Sequence, residues 1–203
     1  MQTIETKIYK KICGNGMGWA FSAGDFSSFG TSNAIRVSLM RLEKAGKIRR
    51  ACHGVYYYPE YSSLLKRYLS PSIDRIAQAM ARKFRWRIQP TGGVALNLLG
   101  LSTQVPARPI YLSDGPNRTS NAGGQVIKFK KTNFKEADLK NYKSGLLVQA
   151  LKTLGQDRVT DEVIAKIRKQ LSSNDRRAIL ADTRHVTAWI YDIIRKICAE
   201  EGR

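Results

Sequence analysis

Acidic residues are few in this sequence of 203 residues. Sixteen Asp and Glu stand against thirty-five Lys and Arg, and the formal net charge at pH 7 is +19. A protein with such an excess repels copies of itself and attracts polyanions. Nucleic acid, an acidic protein or an anionic membrane surface is therefore the expected class of partner. Hydrophobic residues make up 42% of the chain, which is typical of a folded protein rather than a disordered one.

A long hydrophobic run is also lacking. The apolar stretch from Val94 to Leu101 is interrupted by Asn97 and Gly100, and it is shorter than the roughly 18 to 20 residues that a membrane span needs. The segment Met1–Glu5 lacks the basic and then apolar blocks of a secretory signal. We therefore expect a soluble, cytoplasmic protein without a membrane partner.

Cysteine and histidine are scarce. The separations of Cys13, Cys52 and Cys198 match neither a zinc pattern nor a disulfide framework. His53 has no Cys or His partner at the spacing of metal ligands, and no Ser-His-Asp triad or closely spaced pair of carboxylates can be argued from the sequence. We predict no catalytic residue, no metal site and no cofactor, and we expect the protein not to be an enzyme.

The first sixty residues predict three short helices followed by a β-hairpin. The helices are expected at Thr3–Gly14, Ser22–Gly30 and Asn33–Ala45, and the strands at Lys47–Ala51 and Val55–Tyr58. This order is that of a winged helix-turn-helix, whose recognition helix enters the major groove of DNA. The third helix is the candidate recognition helix.

Placing residues 33 to 45 at about 100° each separates an apolar face from a polar one. On the polar face, Asn33 and Arg36 match adenine and guanine edges, whereas Arg41 and Lys44 suit phosphate. The predicted wing adds a cationic edge able to reach the backbone or the minor groove. The expected inward positions are Ile35, Leu39, Leu42 and Gly46. The predicted DNA-binding residues are Thr31, Ser32, Asn33, Arg36, Val37, Met40, Arg41, Lys44, Lys47, Arg49, Arg50 and His53.

Simpler interpretations exist for parts of this pattern. A basic outer helix face is often only solvated. Three consecutive tyrosines, Tyr56–Tyr58, are typical of alternating core and surface positions in a strand, although they also allow base stacking.

Residues 61–203 carry most of the charge, with 26 Lys and Arg against 12 acids, compared with nine against four in residues 1–60. The predicted fold is α+β: a winged helix-turn-helix DNA-binding domain over 1–60, then a basic α/β domain over 61–203 with a helical carboxy-terminal part. Cations crowd the junction against a single acid, Asp74, which suggests a second phosphate-facing surface. They are Lys66, Arg67, Arg75, Arg82, Lys83, Arg85 and Arg87.

The remaining pattern is mixed. The last predicted helix has an apolar stripe from Val186 to Ile197, which must cover either its own domain's core or another protein. Helices are expected at Ser70–Phe84, Gly92–Leu99, Gly145–Leu154, Thr160–Leu171, Asn174–Leu180 and Thr183–Glu200, strands at Trp86–Gln89, Arg108–Ser113 and Gln125–Lys131, and a loop at Asp114–Gly124.

Five runs of this sequence resemble the AbiEi-type antitoxins of type IV toxin-antitoxin systems. Trp19–Phe26, Ile35–Arg50 and His53–Pro59 are similar to that family's amino-terminal module. Thr91–Leu101 and Pro106–Ser113 look like the start of its carboxy-terminal domain. The resemblance covers about residues 3 to 130.

The resemblance implies a repressor of its own operon that binds repeats in promoter DNA and neutralises a nucleotidyltransferase-like toxin. A stand-alone winged-helix regulator without a toxin is the alternative. A third hypothesis is an RNA-binding or nucleotidyltransferase-like enzyme, in which the Gly92-Gly93 turn before a helix would hold phosphate. A neighbouring toxin gene separates the first two hypotheses, and nucleotide turnover would reveal the third.

Overall fold

The computed structural model describes residues 2–132 and 139–199, which form a mixed α+β protein. The chain divides into two compact units. The first contains the described residues up to Arg87 together with Arg118–Lys128, and the second contains Ile88–Asn117 and the described residues from Phe129 onward. Residue 60, where the sequence analysis places a boundary, lies inside the first unit.

The described residues form helices and strands with the following bounds. In chain order they are α1 (Ile4–Gly14), β1 (Ala20–Phe21), a 3-10 helix (Ala23–Phe29), α2 (Ser32–Lys44), β2 (Arg49–Cys52), β3 (Val55–Tyr57), β4 (Tyr61–Ser62), β5 (Arg67–Tyr68), α3 (Ile73–Phe84), β6 (Ile88–Pro90), α4 (Gly92–Leu98), β7 (Ile110–Ser113), β8 (Arg118–Ala122), β9 (Gln125–Lys131), α5 (Tyr142–Leu154), a second 3-10 helix (Gln156–Arg158), α6 (Asp161–Arg168), α7 (Ser173–Asp182) and α8 (Ala188–Cys198).

Hydroxyl caps begin both α-helices at the amino-terminal end of the first unit. The Thr3 hydroxyl accepts a hydrogen bond from the Thr6 amide at 3.2 Å, and Thr31 accepts one from the Ala34 amide at 3.3 Å. The apolar stripes of these helices then meet over one core. Its buried members are Ile8, Ile12, Phe21, Phe26, Ile35, Leu39, Leu42 and Ile48.

Three antiparallel strands in the order β1-β3-β2 lie beside that core. Phe21 and Arg50 both pair with Tyr56, and Arg49 pairs with Tyr57. Because successive strand residues point to opposite faces, Arg49 and Arg50 lie on opposite sides of the sheet. The first hairpin strand, β2, begins at Arg49, two residues later than the sequence pattern predicts. The strand β1, which pairs with β3 at the other edge of the sheet, was not predicted as a strand.

The helix α3 packs against this sheet and the first 3-10 helix. Arg75 Nη1 donates to the Met17 carbonyl at 2.7 Å, and Arg82 Nε donates to Asp25 Oδ1 at 2.7 Å. Arg82 also donates to the carbonyl of Ala20 at 2.7 Å. Two of the junction cations therefore tie α3 to the amino-terminal elements.

The hairpin of β4 and β5 and the strand β8, all in the first unit, were not predicted from the sequence. In β4 and β5, Tyr61 pairs with Tyr68. The predicted loop from Asp114 to Gly124 is wrong over Arg118–Ala122, because β8 forms there and turns into β9 through two glycines with positive φ. The polar sequence of β8 lacks the apolar alternation by which a strand is recognised.

In the second unit, β6 pairs antiparallel with β7, and the end of β9 runs beside β7, where the Thr132 amide donates to the Ser113 carbonyl at 2.9 Å. The helices α4 to α8 enclose the core of this unit. Its most buried residues include Ala95, Leu147, Leu151, Ile167, Ile179, Ile190, Ile194 and Ile197.

The last helix begins at Ala188, and the predicted start at Thr183 is wrong. Thr183 instead ends α7: its hydroxyl donates to the Ile179 carbonyl at 2.8 Å, and its side chain is fully buried. Ile190, Ile193 and Ile197 of α8 are buried in the core of the unit itself, and the predicted end at Glu200 lies outside the described residues.

Within residues 2–132 and 139–199, no helix combines the length and the apolar character that crossing a membrane requires. The three cysteines are unpaired thiols: Cys13 is exposed, Cys52 is half-buried and Cys198 is buried.

Candidate nucleic-acid interface

The predicted DNA-binding residues all lie in the first unit, on the cap and outer face of α2, in the connection to β2, and on the β2–β3 hairpin. All of them are exposed except Val37, which is half-buried. The opposite side of α2 is the buried one, with Ile35, Leu39 and Leu42 at most 2% exposed. The helix therefore has the orientation that its sequence pattern predicts.

Gly46 is the exception, because it is exposed rather than inward-facing. It ends α2 with a φ of +70°, a conformation that glycine adopts without steric cost. Its amide donates to the Glu43 carbonyl at 3.0 Å, and the Lys47 amide donates to the Leu42 carbonyl at 3.0 Å. These two hydrogen bonds form a Schellman termination, which turns the chain directly into the hairpin.

A cleft of about 670 Å³ separates α2 from the hairpin. Asn33, Arg36 and Met40 line it from the helix, and His53 lines it from the hairpin turn. Lys83 of α3 joins them. The fold thus brings predicted base-reading and backbone-contacting residues to one concave surface.

Three cations on α2 have no anionic partner among the residues that the structure describes. Among residues 2–132 and 139–199, the side chains of Arg36, Arg41 and Lys44 form no hydrogen bond or ion pair. Their charges are consequently available to an anionic ligand.

Arg50 is held differently. Its Nε donates to Glu43 Oε1 at 3.1 Å, its Nη2 donates to Glu43 Oε2 at 2.9 Å, and its guanidinium lies 5.3 Å from the ring centroid of Tyr56. The hydrogen bonds to the Glu43 carboxylate raise the pKa of Arg50 above its ordinary value. This ion pair joins β2 to the last turn of α2, so Arg50 is engaged within the protein.

The other two hairpin-region cations rest on aromatic rings. The Arg49 guanidinium lies 4.0 Å from the ring centroid of Tyr68, and Lys47 Nζ lies 4.9 Å from that of Tyr9. Cation–π contacts of this kind restrain a side chain without neutralising its charge.

At the hairpin turn, Gly54 has a φ of +70°, and a Cβ atom there would come within 2.6 Å of Lys83 Nζ. Lys83 Nζ donates to the His53 carbonyl at 2.7 Å. Burial raises the pKa of the neighbouring Cys52 thiol, while the charges of Lys83 and Arg118 oppose this rise. Lys83 and Arg118 could not be predicted as neighbours of the turn, because no local spacing relates residues 53, 83 and 118.

A separate basic groove of about 1000 Å³ lies on the second unit between α7 and α8. Arg184, Arg195 and Lys196 line it together with Trp189 and Asp192. Its mixed lining does not define one class of ligand.

At its other end, α7 begins with a capping box in which Asp175 accepts hydrogen bonds from the amide and hydroxyl of Ser172. Lys143 Nζ lies 2.6 Å from Asp175 Oδ2. The hydrogen bonds from Lys143 and Ser172 lower the pKa of Asp175 to about 2.

The described residues thus define an α+β protein whose first unit presents an exposed basic cleft between a helix and a hairpin. Residues 7–179 match the model of DUF6088, a family of unknown function, and the chain belongs to that family. No curated protein and no solved structure matches the chain significantly.

Proposed function

We propose that this protein is a sequence-specific, double-stranded-DNA-binding regulator, in which residues 3–58 act as a winged helix-turn-helix. The main support for the proposal is that α2 has one buried apolar side and one exposed polar side. Its buried side anchors it to the core, while its outer side holds Asn33 and Arg36 near the amino-terminal end and the exposed Arg41 and Lys44 toward the other end. Recognition helices contact base edges chiefly with their amino-terminal residues.

The residue types suit a division of roles along the helix. Arg36 offers two donors to the O6 and N7 atoms of guanine, and Asn33 offers a donor and an acceptor to adenine. Val37 and Met40 on the same outer side provide apolar contact for a thymine methyl group. Arg41 and Lys44 bind phosphate and supply affinity without sequence information.

The hairpin completes the contact as a wing. Lys47, Arg49 and His53 are exposed along it and face the sugar-phosphate backbone or the adjoining minor groove in this proposal. Arg50 contributes by fixing the wing to α2 through Glu43. The net charge of +19 supplies the salt-sensitive attraction that all duplexes share.

The resemblance to AbiEi-type antitoxins extends the proposal to a cytoplasmic repressor of its own operon. In that role the protein binds promoter repeats and counteracts a neighbouring nucleotidyltransferase-like toxin. The DNA-binding part is supported by the residues of the first unit, and the antitoxin part by the resemblance. A winged-helix regulator without a toxin is the alternative.

A footprint of the full chain on its own promoter tests the proposal. We expect the protein to protect repeated half-sites in the promoter. At the same salt concentration, we expect at least tenfold weaker binding to an unrelated duplex of equal length. Adding the neighbouring gene product then separates the antitoxin from the stand-alone regulator. Equal affinity for promoter and unrelated duplexes at every salt concentration would contradict sequence-specific binding.

A further inference from the structure

Two cations from outside the first sixty residues stand beside the hairpin turn. Lys83, in the last turn of α3, is half-buried and lines the cleft that also contains Arg36. Its Nζ atom donates one hydrogen bond to the His53 carbonyl at 2.7 Å. An ammonium group has three donors, so two remain for another acceptor.

Arg118, the first residue of β8, is the second cation. It is exposed, and its guanidinium lies 4.3 Å from the ring centroid of Phe84, the residue that follows Lys83. The strand β8 also packs against β2, whose last residue, Cys52, directly precedes the hairpin turn. Both cations are therefore close to the hairpin turn.

No carboxylate of the described residues neutralises either charge. In the part of the chain that the structure describes, Lys83 and Arg118 form no ion pair. A carbonyl and an aromatic ring hold them in place instead, so their positions are restrained while their charges are retained. We call Lys83 and Arg118 the flanking pair. Two restrained positive charges of this kind suit an anionic polymer that runs past the turn.

We propose that the flanking pair binds the phosphate backbone of the DNA beside the wing, so that α3 and β8 complete the DNA-binding surface. This inference rests on the proposed function, because it needs a duplex seated on α2 and the hairpin. It predicts that the DNA-binding unit is the first compact unit and not residues 1–60 alone. Contacts to phosphate add affinity for every sequence and leave the choice of sequence unchanged.

The test measures duplex affinity of the full chain against salt concentration for three single variants. Arg118→Ala removes one charge, and Lys83→Gln removes the other while keeping a donor for the His53 carbonyl. Arg177→Ala is the matched control, because it removes an exposed positive charge from the second unit. Thermal unfolding of each variant verifies that the fold is retained.

We expect Arg118→Ala and Lys83→Gln each to reduce the slope of log affinity against log salt by about 0.9, equally for promoter and unrelated duplexes. Arg177→Ala should leave this slope unchanged. Slopes equal to that of the control would show that the flanking pair does not bind DNA phosphate. The proposed function would still stand if the wild-type chain bound the promoter more tightly than the unrelated duplex. A changed ratio of promoter to unrelated affinity would overturn the assignment to phosphate. Absence of DNA binding by the wild-type chain would instead overturn the proposed function and this inference together.

Discussion

Arg50 and Glu43 form a bidentate ion pair, in which Nε and Nη2 of the guanidinium donate to the two carboxylate oxygens at 3.1 and 2.9 Å. Glu43 belongs to the last turn of α2, and Arg50 belongs to β2. The pair therefore fixes the spacing between the proposed recognition helix and the proposed wing. It also places one carboxylate on the surface that faces DNA in our proposal.

Replacing Glu43 with Gln should increase affinity for all duplexes. The substitution removes a negative charge near phosphate, while the amide oxygen that replaces the carboxylate still accepts a hydrogen bond from Arg50 and keeps the wing in position. We therefore expect the slope of log affinity against log salt to steepen by about 0.9. Titration of a labelled duplex at several salt concentrations measures both effects. Glu162→Gln, which removes an exposed acid of the second unit, is the control. A loss of affinity in Glu43→Gln would show that the position of the wing matters more than its charge.

Arg36→Ala should relax sequence preference. If Arg36 reads a base, its loss costs about 1–3 kcal/mol at one position of the site and nothing elsewhere. Lys44→Ala, on the same helix, should weaken all duplexes uniformly. Affinities for the promoter site and its single-base-pair variants distinguish the two patterns, and unchanged discrimination by Arg36→Ala would mean that α2 does not read bases at this residue.

Arg82→Ala should destabilise the protein by about 1–3 kcal/mol, because the Asp25 carboxylate, whose side chain is 11% exposed, would lose a charged hydrogen-bond partner. The Ala20 carbonyl would lose its contact as well. Urea unfolding followed by tryptophan fluorescence measures the change. Lys10→Ala, at an exposed position of α1, should alter stability by no more than about 0.5 kcal/mol. An equal change in the free energy of unfolding for the two variants would show that the Asp25–Arg82 pair does not stabilise the packing of α3.

The Asp175 carboxyl should titrate at a pKa of about 2 in the folded protein, below its ordinary value of 3.8. Because the folded-state pKa is the lower one, the stabilisation is present above pH 3.8 and is lost as the pH falls through 2. Carbon-detected NMR titration of the carboxyl measures this value. Lys143→Gln removes the largest cause and should move the pKa toward 3.8. A wild-type pKa near 3.8 would mean that the contact with Lys143 is not maintained in solution.

Local patterns predicted much of the first unit. The positions of α1 and α2 and the apolar stripe of α2 depend on residues within five positions of each other, so their spacing is sufficient. The hairpin strands and the exposed polar face of α2 follow from the same kind of pattern. Gly46 was placed on the wrong face, because a residue that leaves the helix no longer follows its periodicity.

Three other local features were not recognisable from the sequence pattern. The strand β8 has too little apolar alternation to be recognised, and β4 and β5 are only two residues each. The predicted start of the last helix at Thr183 failed, because a buried hydrogen bond to Ile179 ends the preceding helix there.

By itself, the sequence determined the basic character of the protein, the positions of its main helices and the residues that α2 exposes, because these depend on composition and on local periodicity. Only the tertiary structure decided that Arg50 is engaged by Glu43, that Arg82 holds Asp25, and that Lys83 and Arg118 stand beside the hairpin turn. Those relationships join residues 7 to 66 positions apart, and packing rather than spacing brings such residues together.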